Sequence, residues 1–313
     1  MKERVLITGG AGYIGSVLTK HLLEKEYKVT CLDNLSFGPQ SLMHVIPYTN
    51  FDFVFGDVRN EETLKTLIPK YDVIIPLAGI VGMPQCQKNP VDTKMVNHDA
   101  IINIEKIRSP SQMMLFPNTN SGYGITTGEF YCTEETPLNP ISLYGQTKCG
   151  AEKFLLESDK KAISLRLATV FGISPRMRTD LLANYFVFQA ISNGYLVVFE
   201  KNFKRNFVHV KDVARCFEYC IENYDSMKGN AYNLGIDSAN LSKQELAEKV
   251  KEYIPKLDIT YKEVATDIDK RNYIVSNEKL RRAGFEAKTT IEEGIEELIK
   301  GYSLMFATEV FRQ

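Results

Sequence analysis

A tyrosine and a lysine lie four residues apart, at Tyr144 and Lys148, in a segment with helical periodicity. In a helix this spacing puts both side chains on one face. A free phenol ionises near pH 10, so a tyrosine that acts as a base at neutral pH needs a pKa about 3 lower, which is about 4 kcal/mol of differential stabilisation. A neighbouring ammonium in a low-dielectric cleft can supply part of that. Taken alone, the pair fits an amphipathic helix with an exposed lysine equally well.

A loop rich in hydroxyl and amide side chains precedes this helix in the chain. It begins with Thr119, Asn120 and Ser121 and follows a predicted strand at Met113–Phe116. Because the loop follows the strand directly, its hydroxyls are expected at the carboxyl end of that strand, where ligands bind in parallel sheets. The same composition also fits a simple turn.

A glycine-rich turn near the start of the chain has the spacing of a phosphate-binding loop. Gly10, Gly12 and Gly15 satisfy G-x-G-x-x-G, and Gly9 offers the alternative form G-x-x-G-x-x-G. Such glycines let the backbone approach a pyrophosphate at the start of a helix. Asp33 ends the next predicted strand, about twenty residues on, where a carboxylate holds a ribose diol. An acid there repels a 2′-phosphate, so the pattern predicts NAD rather than NADP.

Strands and helices alternate over the first half of the chain. The predicted strands are Val5–Ile7, Lys28–Leu32, Phe51–Phe55, Val73–Ala78, Met113–Phe116 and Ile163–Ala168, and the predicted helices are one from Tyr13, Glu61–Ile68, Asn89–Ile107 and Ser142–Ser158. Continuous apolar runs are typical of parallel strands that are covered on both faces. The sequence therefore predicts an α/β fold built on a Rossmann-like, doubly wound parallel sheet.

Beyond about residue 170 the regular alternation is lost. The predicted elements there are helices at Asp180–Asn193 and from Lys211, Ser242 and Thr290, with short strands at Tyr195–Phe199, Asn206–His209 and Tyr232–Leu234. Capping sequences support the starts of the last two helices. We expect an NAD-binding domain over residues 1–170 and a smaller, mainly substrate-binding α+β domain over residues 171–313, with some segments crossing back.

The overall composition excludes several classes of partner. The 313 residues are 44% hydrophobic and 25% charged, with a formal net charge of -1. These values give no electrostatic reason to expect binding of nucleic acid or of an anionic membrane. No apolar run approaches membrane-spanning length and no signal peptide is recognisable, so a cytoplasmic location is expected. Six scattered cysteines and four unclustered histidines predict no metal site.

Seven motifs occur in the order that one protein family shows. They are TGGAGYIGS, Asp33-Asn34-Leu35, Gly56-Asp57-Val58, Leu77-Ala78-Gly79, Tyr123-Gly124, Tyr144-x-x-x-Lys148 and Arg205-Asn206-Phe207-Val208-His209-Val210. On these motifs the chain resembles the extended short-chain dehydrogenase/reductase family, in its NAD-dependent nucleotide-sugar epimerase/dehydratase branch. The resemblance spans nearly the whole chain and implies hydride chemistry on a nucleotide-diphosphate sugar.

The resemblance also implies a role for individual residues. Tyr144 would take the proton of a sugar hydroxyl, Thr119 would hydrogen-bond that hydroxyl, and Lys148 would hold the nicotinamide ribose and lower the pKa of the phenol. The residues implied in NAD contact are Gly9, Gly12, Tyr13, Ile14, Asp33, Asn34, Asp57, Val58, Leu77, Ala78, Gly79, Asn97, Tyr144 and Lys148. The candidate substrate-binding residues are Asn120, Ser121, Arg176, Arg178, Arg205 and Arg271, of which Arg205 and Arg271 match phosphate-binding positions.

Departures from the family pattern narrow the expected reaction. The 4,6-dehydratases have Asp-Glu after the catalytic threonine, whereas this chain has Asn120 and Ser121, which disfavours elimination of water. Thr169 and Pro76 stand where many 4-epimerases have Asn and His. We therefore expect oxidation at C4 with release of a 4-keto sugar. The expected substrate is a GDP-linked heptose or mannose-like sugar used for surface polysaccharide.

Two alternatives stay open on the sequence. A nucleotide-sugar 4-epimerase, like UDP-glucose 4-epimerase, begins with the same C4 oxidation. A non-catalytic NAD-binding module would have lost the tyrosine, the lysine or the hydroxyl, and all three are present. The resemblance further implies a homodimer or homotetramer that pairs through the two long helices predicted at Asn89–Ile107 and Ser142–Ser158.

Overall fold

The computed structural model describes residues 2–126, 131–262 and 272–310. The strands are β1 Arg4–Thr8, β2 Lys28–Asp33, β3 Phe51–Phe55, β4 Val73–Pro76, β5 Met113–Thr119, β6 Tyr131–Cys132, β7 Ile163–Leu167, β8 Thr169–Phe171, β9 Tyr195–Phe199, β10 Lys204–His209, β11 Asn230–Leu234, β12 Asn240–Ser242, β13 Asp258–Lys262 and β14 Ile274–Val275. Seven of them form the main sheet, in the order β11-β7-β5-β4-β1-β2-β3. All pairs in this sheet are parallel, which confirms the predicted Rossmann-like fold.

Helices connect these strands. They are α1 Tyr13–Glu24, α2 Glu61–Leu67, α3 Met83–Lys88, α4 Pro90–Lys94, α5 Ala100–Ile107, α6 Leu143–Glu157, α7 Leu182–Asn193, α8 Val210–Glu222, α9 Tyr224–Met227, α10 Lys243–Tyr253, α11 Glu278–Arg282 and α12 Ile291–Val310. None of the described helices is both long enough and apolar enough to span a bilayer.

Both faces of the main sheet are buried, as the continuous apolar runs predict. Val5 and Ile7 of β1 belong to one buried cluster together with Leu18 of α1, whereas Leu6 belongs to another together with Ala151 of α6. Side chains alternate between the two faces along a strand, so consecutive apolar residues fill two separate cores. The sheet therefore holds the carboxyl ends of its strands in fixed positions between two helical layers.

Beyond the main sheet, small sheets border a third buried cluster that includes Phe171, Leu196 and Phe207, and a fourth that includes Cys132 and Val275. Strands β12, β10 and β8 form one sheet, and β13 pairs with β9 and β14 with β6. The predicted strand at Tyr232–Leu234 crosses back, because β11 pairs with β7 at the edge of the main sheet. The division of the chain at residue 170 stays a prediction.

Both helix caps predicted in this half are present. At α10 the Ser242 hydroxyl accepts from the Glu245 backbone N–H, and the Glu245 carboxylate accepts from the Ser242 backbone N–H. Before α12, Thr290 and Glu293 bond to each other in the same reciprocal way.

Two predicted helices differ from the structure. The segment predicted as one helix at Asn89–Ile107 is divided into α4, a π-helical turn at Met95–Asp99, and α5. The helix predicted at Asp180–Asn193 begins only at Leu182, after the extended backbone of Leu181, and Asp180 forms an ion pair with Arg178 outside the helix. Neither hydrogen bonding in a π-turn nor this ion pair can be recognised from apolar periodicity.

Candidate active site

The glycine-rich turn between β1 and α1 has a backbone that tolerates no side chain at two of its glycines. Gly9 has a φ of 74°, and a Cβ there would lie 2.5 Å from the Ala78 backbone nitrogen. A Cβ on Gly15 would lie 2.3 Å from the Gly9 carbonyl oxygen. A Cβ on Gly12 would meet that same oxygen at 3.1 Å and no other described atom within 4 Å, so its outer face is open. The turn thus forms a backbone cradle at the start of α1, as anion binding requires.

Asp33 joins the end of β2 to this turn. One carboxylate oxygen accepts from the Ala11 backbone N–H at 2.9 Å, and the other accepts from the Leu35 N–H at 2.8 Å. These bonds fix the carboxylate beside the glycines, at the position that the sequence predicts for ribose recognition.

A cavity of about 400 Å³ opens above the turn. Nine predicted NAD-contacting residues line it, namely Gly9, Gly12, Asp33, Asn34, Asp57, Val58, Leu77, Ala78 and Gly79. Arg59 donates to both oxygens of the Asp57 carboxylate and lowers the pKa of that carboxyl to about 2. The glycine cradle and the adjacent carboxylate fit NAD, so we refer to this space as the cofactor cavity.

Three other predicted NAD contacts lie elsewhere. Tyr13 and Ile14 line a second cavity, and the Tyr13 hydroxyl donates to the Gly172 carbonyl at 2.7 Å. The Asn97 side chain is buried, and both polar atoms of its amide bond to the backbone of Ile80, each at 2.8 Å. The Asn97 amide therefore holds the loop that lines the cofactor cavity, and its predicted contact with NAD stays a prediction.

The second cavity has a volume of about 530 Å³ and touches the cofactor cavity at Val81. The predicted residues Thr119, Ser121, Tyr144, Arg178 and Arg205 line it, and we call it the substrate cavity. Thr169, which the sequence comparison with 4-epimerases singled out, also lines it. Sequence reasoning missed further lining residues, among them Asn118, Ser142, Lys243 and Tyr273. Only Asn118 and Ser142 carried a usable signal, since both flank elements already assigned to the site.

The hydroxyls of the site are held by local structure. Thr119 ends β5, donates to the Ser121 hydroxyl at 2.8 Å and accepts from the Ser121 backbone N–H at 3.1 Å. Ser142 caps α6 by accepting from the Gly145 N–H at 3.1 Å. This cap places Tyr144 in the first turn of α6, where the half-buried phenol reaches the substrate cavity.

Lys148 lies one helical turn after Tyr144 and is only 6% exposed. Its ammonium nitrogen is 3.9 Å from the centroid of the Phe116 ring. Burial lowers the pKa of this amine to about 7, although Cys149 and Glu152 act in the opposite direction. An amine of this pKa exchanges protons at neutral pH.

A buried polar network supports the site from below. Glu152, one turn after Lys148, accepts from Arg166 at 2.7 Å, from the Ser164 hydroxyl at 2.5 Å and from the Asn118 amide at 2.7 Å. Asn118 immediately precedes Thr119, so this carboxylate ties the end of β5 to α6. The regular spacing of Tyr144, Lys148 and Glu152 was the available sequence signal for this residue.

The predicted substrate-binding residues divide into three groups. Ser121, Arg178 and Arg205 line the substrate cavity. Asn120 is 0% exposed and Arg176 lies over the Phe37 ring, so neither lines the substrate cavity, and their part in substrate binding stays a prediction. Asn120 is turned inward by the short helix that follows Thr119. Arg271 lies outside the described residues.

The described residues contain no group of three or more His, Cys, Asp or Glu side chains that could hold a metal ion. The substrate cavity brings together the hydroxyls of Thr119 and Ser121 and the phenol of Tyr144, beside the cofactor cavity.

Comparison with known proteins gives the same fold and cofactor. A low-salt glycan biosynthesis protein of Haloferax volcanii is 29% identical over 95% of this chain and 98% of its own length. The CDP-paratose 2-epimerase of Salmonella typhi is 27% identical over 94% and 98%. The crystal structure of dTDP-glucose 4,6-dehydratase from Bacillus anthracis in complex with NAD superposes with a TM-score of 0.82, at 25% identity over 96% of both chains.

The family model of the NAD dependent epimerase/dehydratase family matches residues 5–235. This range includes the glycine cradle, Asp33, Thr119, Tyr144 and Lys148. The chain belongs to the NAD dependent epimerase/dehydratase family and is an NAD-dependent enzyme of the short-chain dehydrogenase/reductase type.

Proposed function

We propose that this enzyme oxidises C4 of a nucleotide-diphosphate sugar, with Tyr144 as the base. The observation that carries the proposal is the position of Thr119, Ser121 and Tyr144 in the wall of one cavity that adjoins the cofactor cavity at Val81. A sugar carbon in that cavity would lie between the phenol and the cofactor. This arrangement supports removal of a proton and a hydride from the same CH–OH group.

The residues of the chain divide this task between them. Tyr144 takes the hydroxyl proton, and Thr119 hydrogen-bonds the same oxygen and orients it. Lys148 lies one helical turn after Tyr144. Its positive charge stabilises the negative charge of the tyrosinate, since the site is poorly solvated. The glycine cradle and Asp33 hold NAD, which accepts the hydride when bound.

We further propose C4 epimerisation as the net outcome, with release of the 4-keto sugar as the second candidate. Elimination of water is disfavoured because Asn120 is fully buried and Ser121 carries no carboxyl group. A relative described as a UDP-glucose 4-epimerase, from Lactobacillus helveticus, is 26% identical over 82% of this chain and supports epimerisation. Release of the ketone is the outcome expected in the sequence analysis, where the chain departs from the residues of 4-epimerases and dehydratases. Epimerisation and release differ only in whether the keto sugar leaves the enzyme.

The nucleotide and the sugar stay predictions. The sequence favours a GDP-heptose or a GDP-mannose-like sugar for surface polysaccharide, whereas the relatives named above are described by UDP-glucose and CDP-paratose. The H. volcanii relative, described as a glycan biosynthesis protein, supports a role in making glycans.

A cytoplasmic location and a homodimeric or homotetrameric assembly also stay predictions. The helices assigned to pairing carry exposed apolar side chains, Val91 and Met95 on one segment and Phe154 on the other. These exposed apolar side chains support self-association through the two segments. Light scattering of the purified protein measures the size of the assembly.

The experiment is product analysis after incubation of the enzyme with UDP-, GDP-, CDP- and dTDP-sugars and an added keto-acid acceptor, which takes up the hydride if the ketone is released. Unchanged mass with altered chromatography means epimerisation, and a product two hydrogens lighter means release of the ketone. A product lighter by one water contradicts the interpretation of Asn120 and Ser121. Tyr144→Phe should abolish turnover by removing the base while leaving NAD bound, and an active Tyr144→Phe enzyme removes the proposed base.

A further inference from the structure

An exposed aromatic side chain stands at the mouth of the cofactor cavity. Phe37 is 71% exposed and belongs to the wall of that cavity, on the side lined by Asp33 and Asn34. The guanidinium carbon of Arg176 lies 4.0 Å from the centroid of its ring. An arginine at this distance over an aromatic face is held by a cation–π attraction. The contact joins two segments 139 positions apart in the chain.

The loop that carries Phe37 is fixed by its own hydrogen bonds. Asn34 accepts from both the backbone N–H and the hydroxyl of Ser36, at 3.1 and 2.6 Å. Gly38, with a φ of 80°, donates its N–H to the Leu35 carbonyl at 2.8 Å. These bonds form a tight turn directly after β2 that projects the Phe37 ring away from the body of the protein.

The segment that carries Arg176 is anchored on the opposite side, at the start of α1. The Ser174 hydroxyl donates to the Tyr13 carbonyl at 2.7 Å and lies 3.1 Å from the Ser16 hydroxyl. It also accepts from the Arg176 backbone N–H at 3.3 Å. The segment that carries Arg176 is therefore attached to α1, the helix that begins at the glycine cradle, and from there the Arg176 side chain contacts Phe37.

We propose that Phe37 and Arg176 form a clasp that retains NAD in the cofactor cavity. Two separately anchored loops meet at Phe37, in the wall of the cofactor cavity, and the ring–guanidinium pair joins them. The assignment moves Arg176 from the substrate side to the cofactor side, while Arg178 remains in the wall of the substrate cavity. It rests on the NAD dependence of the family and not on the identity of the sugar.

The expected change in the rate of NAD dissociation follows from the partial exposure of the Phe37–Arg176 pair. A partly solvated cation–π contact is worth about 0.5–1 kcal/mol, which corresponds to a roughly two- to fivefold change in rate. Phe37→Ala and Arg176→Ala should therefore each raise the rate of NAD dissociation roughly two- to fivefold. The double variant should be no faster than the faster single variant, since both changes break one contact.

The measurement is the release of NAD from the purified, NAD-loaded protein into excess competing nucleotide, without any sugar. Phe55→Ala and Arg282→Ala are matched controls, because Phe55 is also 71% exposed and Arg282 is exposed on α11, both outside the clasp. Release at the wild-type rate in Phe37→Ala and Arg176→Ala, or additive effects in the double variant, overturns the proposal.

A second readout separates the clasp from a role of Arg176 in substrate binding. If Arg176→Ala raises the KM for a nucleotide sugar and leaves NAD release unchanged, Arg176 binds the substrate and the proposed clasp is wrong. Faster NAD release from a protein that turns over no sugar supports the clasp while contradicting the proposed function.

Discussion

The buried amine of Lys148 should cost the folded protein stability at and below neutral pH. Burial lowers its pKa from 10.5 to about 7. At about 1.4 kcal/mol per pKa unit, confinement of the charged form costs about 5 kcal/mol. The Phe116 ring, 3.9 Å from the ammonium, offsets about 2 kcal/mol of this. Lys148→Met, which keeps an unbranched side chain one atom shorter, should therefore stabilise the protein by about 3 kcal/mol at about pH 6.

The sign of the pH dependence follows from proton binding. Between about pH 7 and 10.5 the unfolded chain keeps the proton that the folded amine has released, so this group makes the free energy of unfolding rise with pH. The advantage of Lys148→Met should accordingly shrink across that window, because methionine does not titrate.

The assay is urea unfolding of NAD-free protein at several pH values, since bound ligand would add stability of its own. Lys153→Met is the matched control, because Lys153 lies on the same helix with its side chain 76% exposed. The reasoning is refuted if Lys148→Met is less stable than the wild type at about pH 6, or if its advantage is the same at about pH 6 and pH 9.5. Loss of turnover in Lys148→Met would show that the buried, destabilising amine is needed for catalysis.

Three further substitutions test other parts of the site. Glu152→Gln should lower the free energy of unfolding by about 3–5 kcal/mol in a urea titration, because it leaves the buried Arg166 guanidinium without its carboxylate. Gly9→Ala should weaken NAD binding measured by calorimetry, whereas Gly82→Ala, also at positive φ but with open space around it, should leave that binding near wild type. Thr119→Val should lower kcat/KM by about 10- to 150-fold, the equivalent of one hydrogen bond to a charged group, while Thr119→Ser retains most activity. Equal losses in the valine and serine variants would mean that the hydroxyl is not used.

Local sequence patterns predicted those parts of the molecule that depend on neighbours in the chain. The glycine turn, the helix caps at Ser242 and Thr290, and the placement of Thr119 at the carboxyl end of a strand all involve residues within a few positions of each other. Their physical causes are short-range, namely backbone conformation, capping bonds and side-chain periodicity. These features and the parallel sheet they imply are confirmed by the structure.

What the sequence could not show depends on contacts between distant segments. The pairing of β11 with β7, the bonds from Asn97 to Ile80 and the contact of Arg176 with Phe37 each join residues that no local pattern connects. From the sequence alone, a buried residue such as Asn120 cannot be distinguished from an exposed residue of a polar loop, because burial depends on the packing of the whole fold. The residue roles that the family resemblance implies stay predictions.

Removal of hydride from C4 is the central claim, and isotopic labelling at that carbon tests it most directly. A nucleotide sugar that the enzyme turns over should react more slowly when deuterium replaces hydrogen at C4. The deuterium should stay in the product of an epimerase and be absent from a released ketone. Equal rates for the C4-labelled and unlabelled sugars, with slower turnover only when C2 is labelled, would contradict the account and move the oxidised carbon to C2.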